Sequence, residues 1–231
     1  MSNSHIALIT GAKRGVGNAI ANSFRKKNVM VIITSRSFDF NPTLKFTNSV
    51  IEQYLDVTSI ESIKNFFTWY SSLNAPIHYL VNNAGVGVFK SLDKIDISEW
   101  RSIIDTNLTG SFFVLKYAYP FLKNANGAKV VNIGSIAENY YLKENGAYAA
   151  SKLGLKALSR AINEDWEGDN IFCTHVILGA VATDIWKKRK DFFKKDMLCV
   201  NQVSDLIVDS VMSSQNIRLD TLEIFPTKGL L

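Results

Sequence analysis

Seven short apolar runs punctuate the chain: IALIT at 6–10, VMVIITS at 29–35, IEQYLDV at 51–57, HYLVNN at 78–83, KVVNIGS at 129–135, IFCTHVIL at 171–178 and TLEIFPT at 221–227. Each is too short for a globular helix and rich in β-branched or aromatic residues, so each reads as a buried strand. Between most of them the apolar positions recur at helical spacing, over 16–27, 60–73, 98–123, 148–167 and 203–214. This alternation predicts an α/β fold: a doubly wound, mainly parallel sheet of about seven strands with helices on both faces and right-handed crossovers. No linker, repeat or low-complexity segment interrupts the pattern, so residues 1–231 are expected to form one domain. One connection departs from it. SFDFNPTLKFTNSV at 37–50 has weak helical periodicity and contains Pro42, so the crossover helix expected there is short or absent.

Composition adds little to this picture: 47% apolar and 20% charged residues are ordinary for a chain of 231 residues with a sizeable core. The net charge of +5 comes mostly from scattered residues. It suits a charged surface and a phosphorylated cofactor, and no RNA-recognition motif accompanies it, so nucleic acid is not an expected partner. No apolar run reaches the length of a membrane span. The opening MSNSHIALIT lacks the basic and apolar regions of a signal peptide, which leaves a cytoplasmic location by elimination. Cys173 and Cys199 form no CxxC pair, and His5, His78 and His175 stand in or beside strands at unrelated spacings. Reduced thiols and packed or strand-edge histidines follow, with no metal site.

The chemistry begins where the first strand runs into TGAKRGVG, from Thr10 to Gly17. Gly11, Gly15 and Gly17, around Val16, let backbone N–H groups approach a pyrophosphate at a helix N-terminus. An acidic residue at the end of the second strand would bind both ribose hydroxyls of NAD, whereas an arginine there accepts the 2′-phosphate of NADP. The sequence offers Ser35 and Arg36, with Lys13 and Arg14 in the glycine loop adding positive charge. NADP(H) is therefore expected over NAD; a merely solvated Arg36 is the alternative. Asp56, followed by Val57, ends the third strand and can accept an adenine amino group. VNNAG, with Asn83, Ala84 and Gly85, makes a polar turn at the end of the fourth, where open α/β sheets bind ligands. Downstream, in NGAYAASKLGL, Tyr148 and Lys152 lie one helical turn apart and share a face.

These features resemble the short-chain dehydrogenase/reductase family over nearly the full chain: TGAKRGVG, Asp56, NNAG, Asn107 in DTNLTG, Ser135 in NIGS and YAASK follow the family's order. The resemblance implies a Rossmann-type sheet, a nicotinamide cofactor and a catalytic group of Asn107, Ser135, Tyr148 and Lys152. Tyr148 would be the general acid/base, since hydride addition to a carbonyl leaves an alkoxide that needs a proton. A positive charge from Lys152 would lower the phenol pKa from about 10. By resemblance, Lys152 also holds the nicotinamide ribose and Asn107 anchors a water. Ser135 can hydrogen-bond the substrate oxygen.

Two features depart from the family pattern. LGAVATD places Leu178 where the family usually has proline, while Gly179, Val181 and Thr183 remain for the nicotinamide. The expected lid around 184–200 is short, basic and aromatic, with Trp186, Phe192 and Phe193 among Lys187, Lys188, Arg189, Lys190, Lys194 and Lys195. Either it captures an acidic carrier, such as an acyl-carrier protein or coenzyme A, or it is an amphipathic helix with a solvated face. The expected function is NADPH-dependent reduction of a ketone or aldehyde, reversible as an alcohol dehydrogenase. A 3-oxoacyl-carrier-protein reductase and a non-catalytic NADP-binding sensor are the alternatives. Phe112, Phe113, Tyr117 and residues 155–158 offer apolar contact for a homodimer or homotetramer.

Overall fold

The computed structural model describes residues 5–43, 49–140, 142–183, 194–213 and 216–229. Its strands are β1 (Ile6–Ile9), β2 (Met30–Ser35), β3 (Val50–Tyr54), β4 (Tyr79–Asn82), β5 (Lys129–Ile133), β6 (Phe172–Leu178) and β7 (Thr221–Ile224). They form one sheet in the order β3-β2-β1-β4-β5-β6-β7. Every neighbouring pair is parallel. The order reverses between β1 and β4, and this switch point opens the crevice where doubly wound sheets take their ligands.

The helices are α1 (Gly15–Lys26), α2 (Ile60–Ser71), α3 (Ile97–Ile104), α4 (Gly110–Lys123), α5 (Gly146–Asp165) and α6 (Val200–Val211). Side chains alternate across a strand, so each central strand feeds two cores. Ile6 and Leu8 join a cluster with Ile63, Phe66, Trp69, Tyr70, Val114, Leu122 and Ile162, under α2, α4 and α5. Ala7 and Ile9 join the opposite cluster with Ile20, Phe24, Val203, Ile207 and Val211, under α1 and α6. Each fully buried Leu, Ile or Phe contributes about 1.5–3 kcal/mol, so burial on both faces fixes the register. The aromatic run Phe66, Phe67, Trp69 and Tyr70 is core, as its helical spacing predicts.

Two connections decide where the site falls. Residues 37–43 and 49 form no helix between β2 and β3, in keeping with weak periodicity and Pro42. The helix expected over 98–123 is interrupted: Asp105–Thr109 form a π-helical turn between α3 and α4, and Gly110 N–H donates to Asp105 O. The third strand ends at Tyr54, so Asp56 stands on the loop beyond it.

Candidate active site

The glycine turn is clamped to the end of β4 by polar groups that face inward. Thr10 Oγ accepts the N–H groups of Asn83 and Ala84, both at 3.1 Å. The Asn83 amide donates to Thr10 O at 2.9 Å and Gly11 O at 3.0 Å. These side chains hold the turn. A β-carbon at Gly11, where φ is +62°, would lie 2.7 Å from Ala84 Cα, and one at Gly17 would lie 2.4 Å from Asn83 Nδ2. Gly15 also has φ +62°, but a β-carbon there meets nothing nearer than Thr183 Cγ2 at 3.8 Å. No side chain caps α1 at Arg14. The first turn of α1 thus presents backbone donors and a positive dipole end to open space, which fits a pyrophosphate.

The ribose corner lies beside it. Lys13 Nζ donates to Ser37 O at 3.3 Å and sits 5.3 Å from the Phe38 ring centroid. Ser35 Oγ and Ser37 Oγ are 3.0 Å apart, and Arg36 is exposed. Lys13, Ser35 and Arg36 therefore meet at one edge of the crevice. Asp56 Oδ1 accepts the N–H and hydroxyl of Thr58 at 3.0 and 2.8 Å, forming an Asx turn. Val57 packs in the core behind it, where a β-carbon at Gly110 would lie 2.6 Å from Val57 O.

The four residues expected to carry the chemistry come from three elements. Ser135 follows β5 in extended backbone conformation, and its Oγ accepts the Ala137 N–H at 3.3 Å. Ser135 and Tyr148 of α5 line the same cavity. Lys152, one turn on, donates Nζ to Ile133 O at 2.7 Å. A β-carbon at Gly85 would meet Asn107 Oδ1 at 3.4 Å and Lys152 Nζ at 3.7 Å, so the NNAG turn, Asn107 and Lys152 are neighbours. Asn107 lies in the π-turn and clamps Val86 with both ends of its amide, at 2.8 and 2.9 Å, while also donating to Ser151 Oγ at 3.0 Å. Its carbonyl accepts the Ser111 hydroxyl.

Burial pushes the Tyr148 phenol up to about 12; the neighbouring Ser135 hydroxyl pulls it down and the Glu138 carboxylate pushes it up further. Burial also pulls the Lys152 ammonium down to about 8, against the opposing pull of Glu138. The lowered phenol pKa expected from Lys152 is thus not set by these residues alone. The ammonium is committed to Ile133 O, 5.6 Å from the Tyr148 ring centroid, and is itself disfavoured by burial.

Ser135 and Tyr148 open on a cavity of about 380 Å³ that Val16, Gly179, Val181 and Thr183 also line. Leu178, where proline is usual, is buried and lines it too. The loop after β6 is held without proline: Gly179 N–H donates to Ile224 O at 2.9 Å, and Pro226 leaves no space for a β-carbon at Gly179. Val181 and Leu198 form a bridge that ties the two ends of the following segment together. The basic and aromatic residues of the expected lid at 184–193 lie outside the described residues. Phe89, Leu142, Lys143 and Asn145 also line the cavity, and Phe89 stacks edge-on against Tyr148 at 5.9 Å. No sequence motif marks these residues. Glu138 was missed as well, although S-I-A-E at 135–138 spells a capping box.

The model of the short chain dehydrogenase family matches residues 5–193. The chain is 31% identical to the trans-4-hydroxycyclohexanecarboxylate dehydrogenase of Sinomonas cyclohexanicum, over 93% of this chain and 91% of that one. It is 25% identical to the NAD-dependent glycerol dehydrogenase of Listeria innocua, over 79% and 73% of the two chains. The fold superposes with a TM-score of 0.86 on an alcohol dehydrogenase from Thermococcus sibiricus complexed with 5-hydroxy-NADP, at 23% identity and 97% coverage of both chains. This chain belongs to the short-chain dehydrogenases, oxidoreductases that act on alcohol or carbonyl groups with a nicotinamide cofactor. Among the described residues, no helix is long and apolar enough to cross a membrane.

Proposed function

We propose that the protein is an NADP(H)-dependent reductase of a ketone or aldehyde, reversible as an alcohol dehydrogenase, with Tyr148 as general acid/base. The observation that carries this reading is the single cavity on which Ser135 and Tyr148 face Val16 and Thr183, with Lys152 buried behind them. The α1 N-terminus would hold the pyrophosphate, Lys13, Ser35 and Arg36 the adenosine ribose phosphate, and Lys152 and Thr183 the nicotinamide end. When bound, the cofactor supplies or accepts the hydride. Tyr148 gives its proton to the nascent alkoxide, Ser135 donates to the same oxygen, and Lys152 supplies positive charge for the tyrosinate left behind.

The cavity wall is apolar apart from a few groups, with Phe89, Ile136, Leu142 and Leu178 set against Lys143 and Asn145. It suits an apolar, ring-sized carbonyl compound, and Lys143 favours one that carries an acid group. Cyclic oxo acids therefore belong in the substrate panel beside simple ketones, aldehydes and 3-oxoacyl thioesters. Association through α4 and α5 fits the 43% exposure of Phe112 and 49% exposure of Leu153, and light scattering would read it directly.

The deciding experiment is oxidation of NADPH and NADH against that panel, with Arg36→Ala beside the wild type. NADPH should be preferred, and the variant should lose roughly tenfold or more in kcat/KM for NADPH while NADH changes little, as expected for one charge-assisted phosphate contact. Equal use of both cofactors by the wild type would overturn the NADP assignment and leave the dehydrogenase reading standing.

A further inference from the structure

A carboxylate is buried directly beneath the catalytic serine. The Glu138 side chain has 0% exposure, although it lies only three residues from Ser135. Its Oε2 accepts the Ser135 N–H at 3.1 Å, and its own N–H donates to Ser135 O at 3.0 Å. Both carboxylate oxygens approach His175 Nε2, at 2.9 and 3.0 Å. His175 comes from β6, and its Nδ1 is 2.9 Å from Ser159 Oγ on α5. Ser159 in turn accepts from the Asn132 amide at 2.8 Å, and Asn132 accepts from Asn82 at 2.9 Å. Polar side chains thus run without a break from the end of β4 to Ser135. Gly134 makes room for them: a β-carbon there would lie 2.5 Å from His175 Nε2 and 2.6 Å from Glu138 Oε2.

Folding alone does not call for a charge at this place. A buried carboxylate costs several kcal/mol unless it is paired and hydrogen-bonded, and apolar replacements of buried pairs are often more stable. A glutamine would complete the same capping box. What glutamine cannot supply is negative charge beside the reacting hydroxyls. We propose that Glu138, clamped by His175, is a positioning residue of this active site: it fixes Ser135 in the cavity wall that Ser135 shares with Tyr148, and it sets a carboxylate behind the two hydroxyls.

The surroundings agree in sign. The Glu138 carboxylate opposes ionisation of Tyr148 and favours the charged form of Lys152. Lys156, on the same helix, is the other cation facing it, with Nζ 3.6 Å from Oε1 and anchored on Asn139 Oδ1 at 2.6 Å. Glu223 of β7 reaches the group only through Asn139. On β6, burial pushes the Cys173 thiol up to about 12, and Asp220 is occupied with Arg218 and Asn163. The Ser159 hydroxyl can turn to Leu155 O or to His175 Nδ1, both at 2.9 Å. The network therefore gives Glu138 two fixed partners, His175 and the Ser135 N–H.

The proposal rests on the acid/base reading of Tyr148, but its first test needs no substrate. The protein is labelled at tyrosine Cζ, and the Tyr148 resonance, assigned by its absence in Tyr148→Phe, is titrated by carbon NMR in complex with NADP+ or NAD+. The cofactor's positive charge brings the phenol midpoint into an accessible range. Glu138→Gln should lower that midpoint by about one pH unit. Lys156→Met, which leaves Glu138 less screened and touches none of the catalytic group, should raise it. A midpoint unmoved in both variants overturns the proposal and leaves Glu138 a structural cap. Once a substrate is known, the pH profile of alcohol oxidation should shift in the same directions. Opposed NMR shifts without any turnover would uphold Glu138 and sink the reductase reading instead.

Discussion

The two walls of the crevice are built on opposite principles. On the cofactor side, the turn from Thr10 to Gly17 is shaped by missing side chains, and the polar groups that clamp it to the end of β4, Thr10 and Asn83, are spent on the backbone. On the catalytic side, Ser135, Tyr148 and Lys152 rest against buried ionisable and amide groups drawn from β4, β5, α5 and β6. In the proposed reading the first wall binds by leaving space for another molecule's charge, and the second reacts because it has organised charge of its own. A substitution should therefore damage affinity on one wall and chemistry on the other.

The sharpest contrast comes from Tyr148→Phe. Loss of the proton donor should cut kcat about a thousandfold while the dissociation constant for the cofactor, read by fluorescence titration, changes little. Gly11→Ala should do the reverse. Its β-carbon collides with Ala84 Cα and it must hold φ +62°, so cofactor affinity should fall at least about tenfold. If the two variants lost affinity and turnover in equal measure, the division between the walls would collapse. Gly134→Ala probes the catalytic side from below. It forces His175 and Glu138 apart and should cost about 1–3 kcal/mol in denaturant unfolding, as overpacking does.

The smallest expected effect lies at the amino-terminal ends of β1 and β4, away from both walls. His78 Nδ1 accepts the Ile6 N–H at 3.1 Å, and burial, with His5 nearby, pulls the imidazole down to about 4. The folded state therefore binds this proton more weakly than the unfolded chain does. Its contribution to stability is complete above about pH 6.5 and is lost as pH falls toward 4. Allowing for solvent screening at this partly exposed site, the loss is on the order of 1–2 kcal/mol, and His78→Gln should remove that part of the pH dependence of unfolding.

Much of this was legible in the residues. All seven strands could be placed because apolar runs buried on both faces leave a continuous signal, and the glycine turn, NNAG and YAASK are local in sequence. Boundaries shifted where tertiary contacts override periodicity: the third strand stops at Tyr54, and α6 begins at Val200, before its first strongly periodic residue. The π-turn was invisible because Asp105–Thr109 have the same apolar spacing as ordinary helix. The Glu138–His175 pair was hidden for another reason. Its members lie 37 residues apart on a short turn and a strand, and only the sheet brings them together. His175, expected to be packed or at a strand edge, is packed, and packing alone gives no hint of its partner.

The π-turn also sets a phase. One extra residue between α3 and α4 advances everything after it by about 100° around the helix axis. That offset lets Ile103 and Asn107 point inward while Val114, Ala118 and Leu122 still meet the core. Removing a single residue from Asp105–Thr109 would give a more regular helix with one of these sets facing the wrong way. Chain length here is therefore under as tight a control as the identity of Asn107. Among homologous chains the segment, Asn107 apart, should tolerate substitution more readily than insertion or deletion.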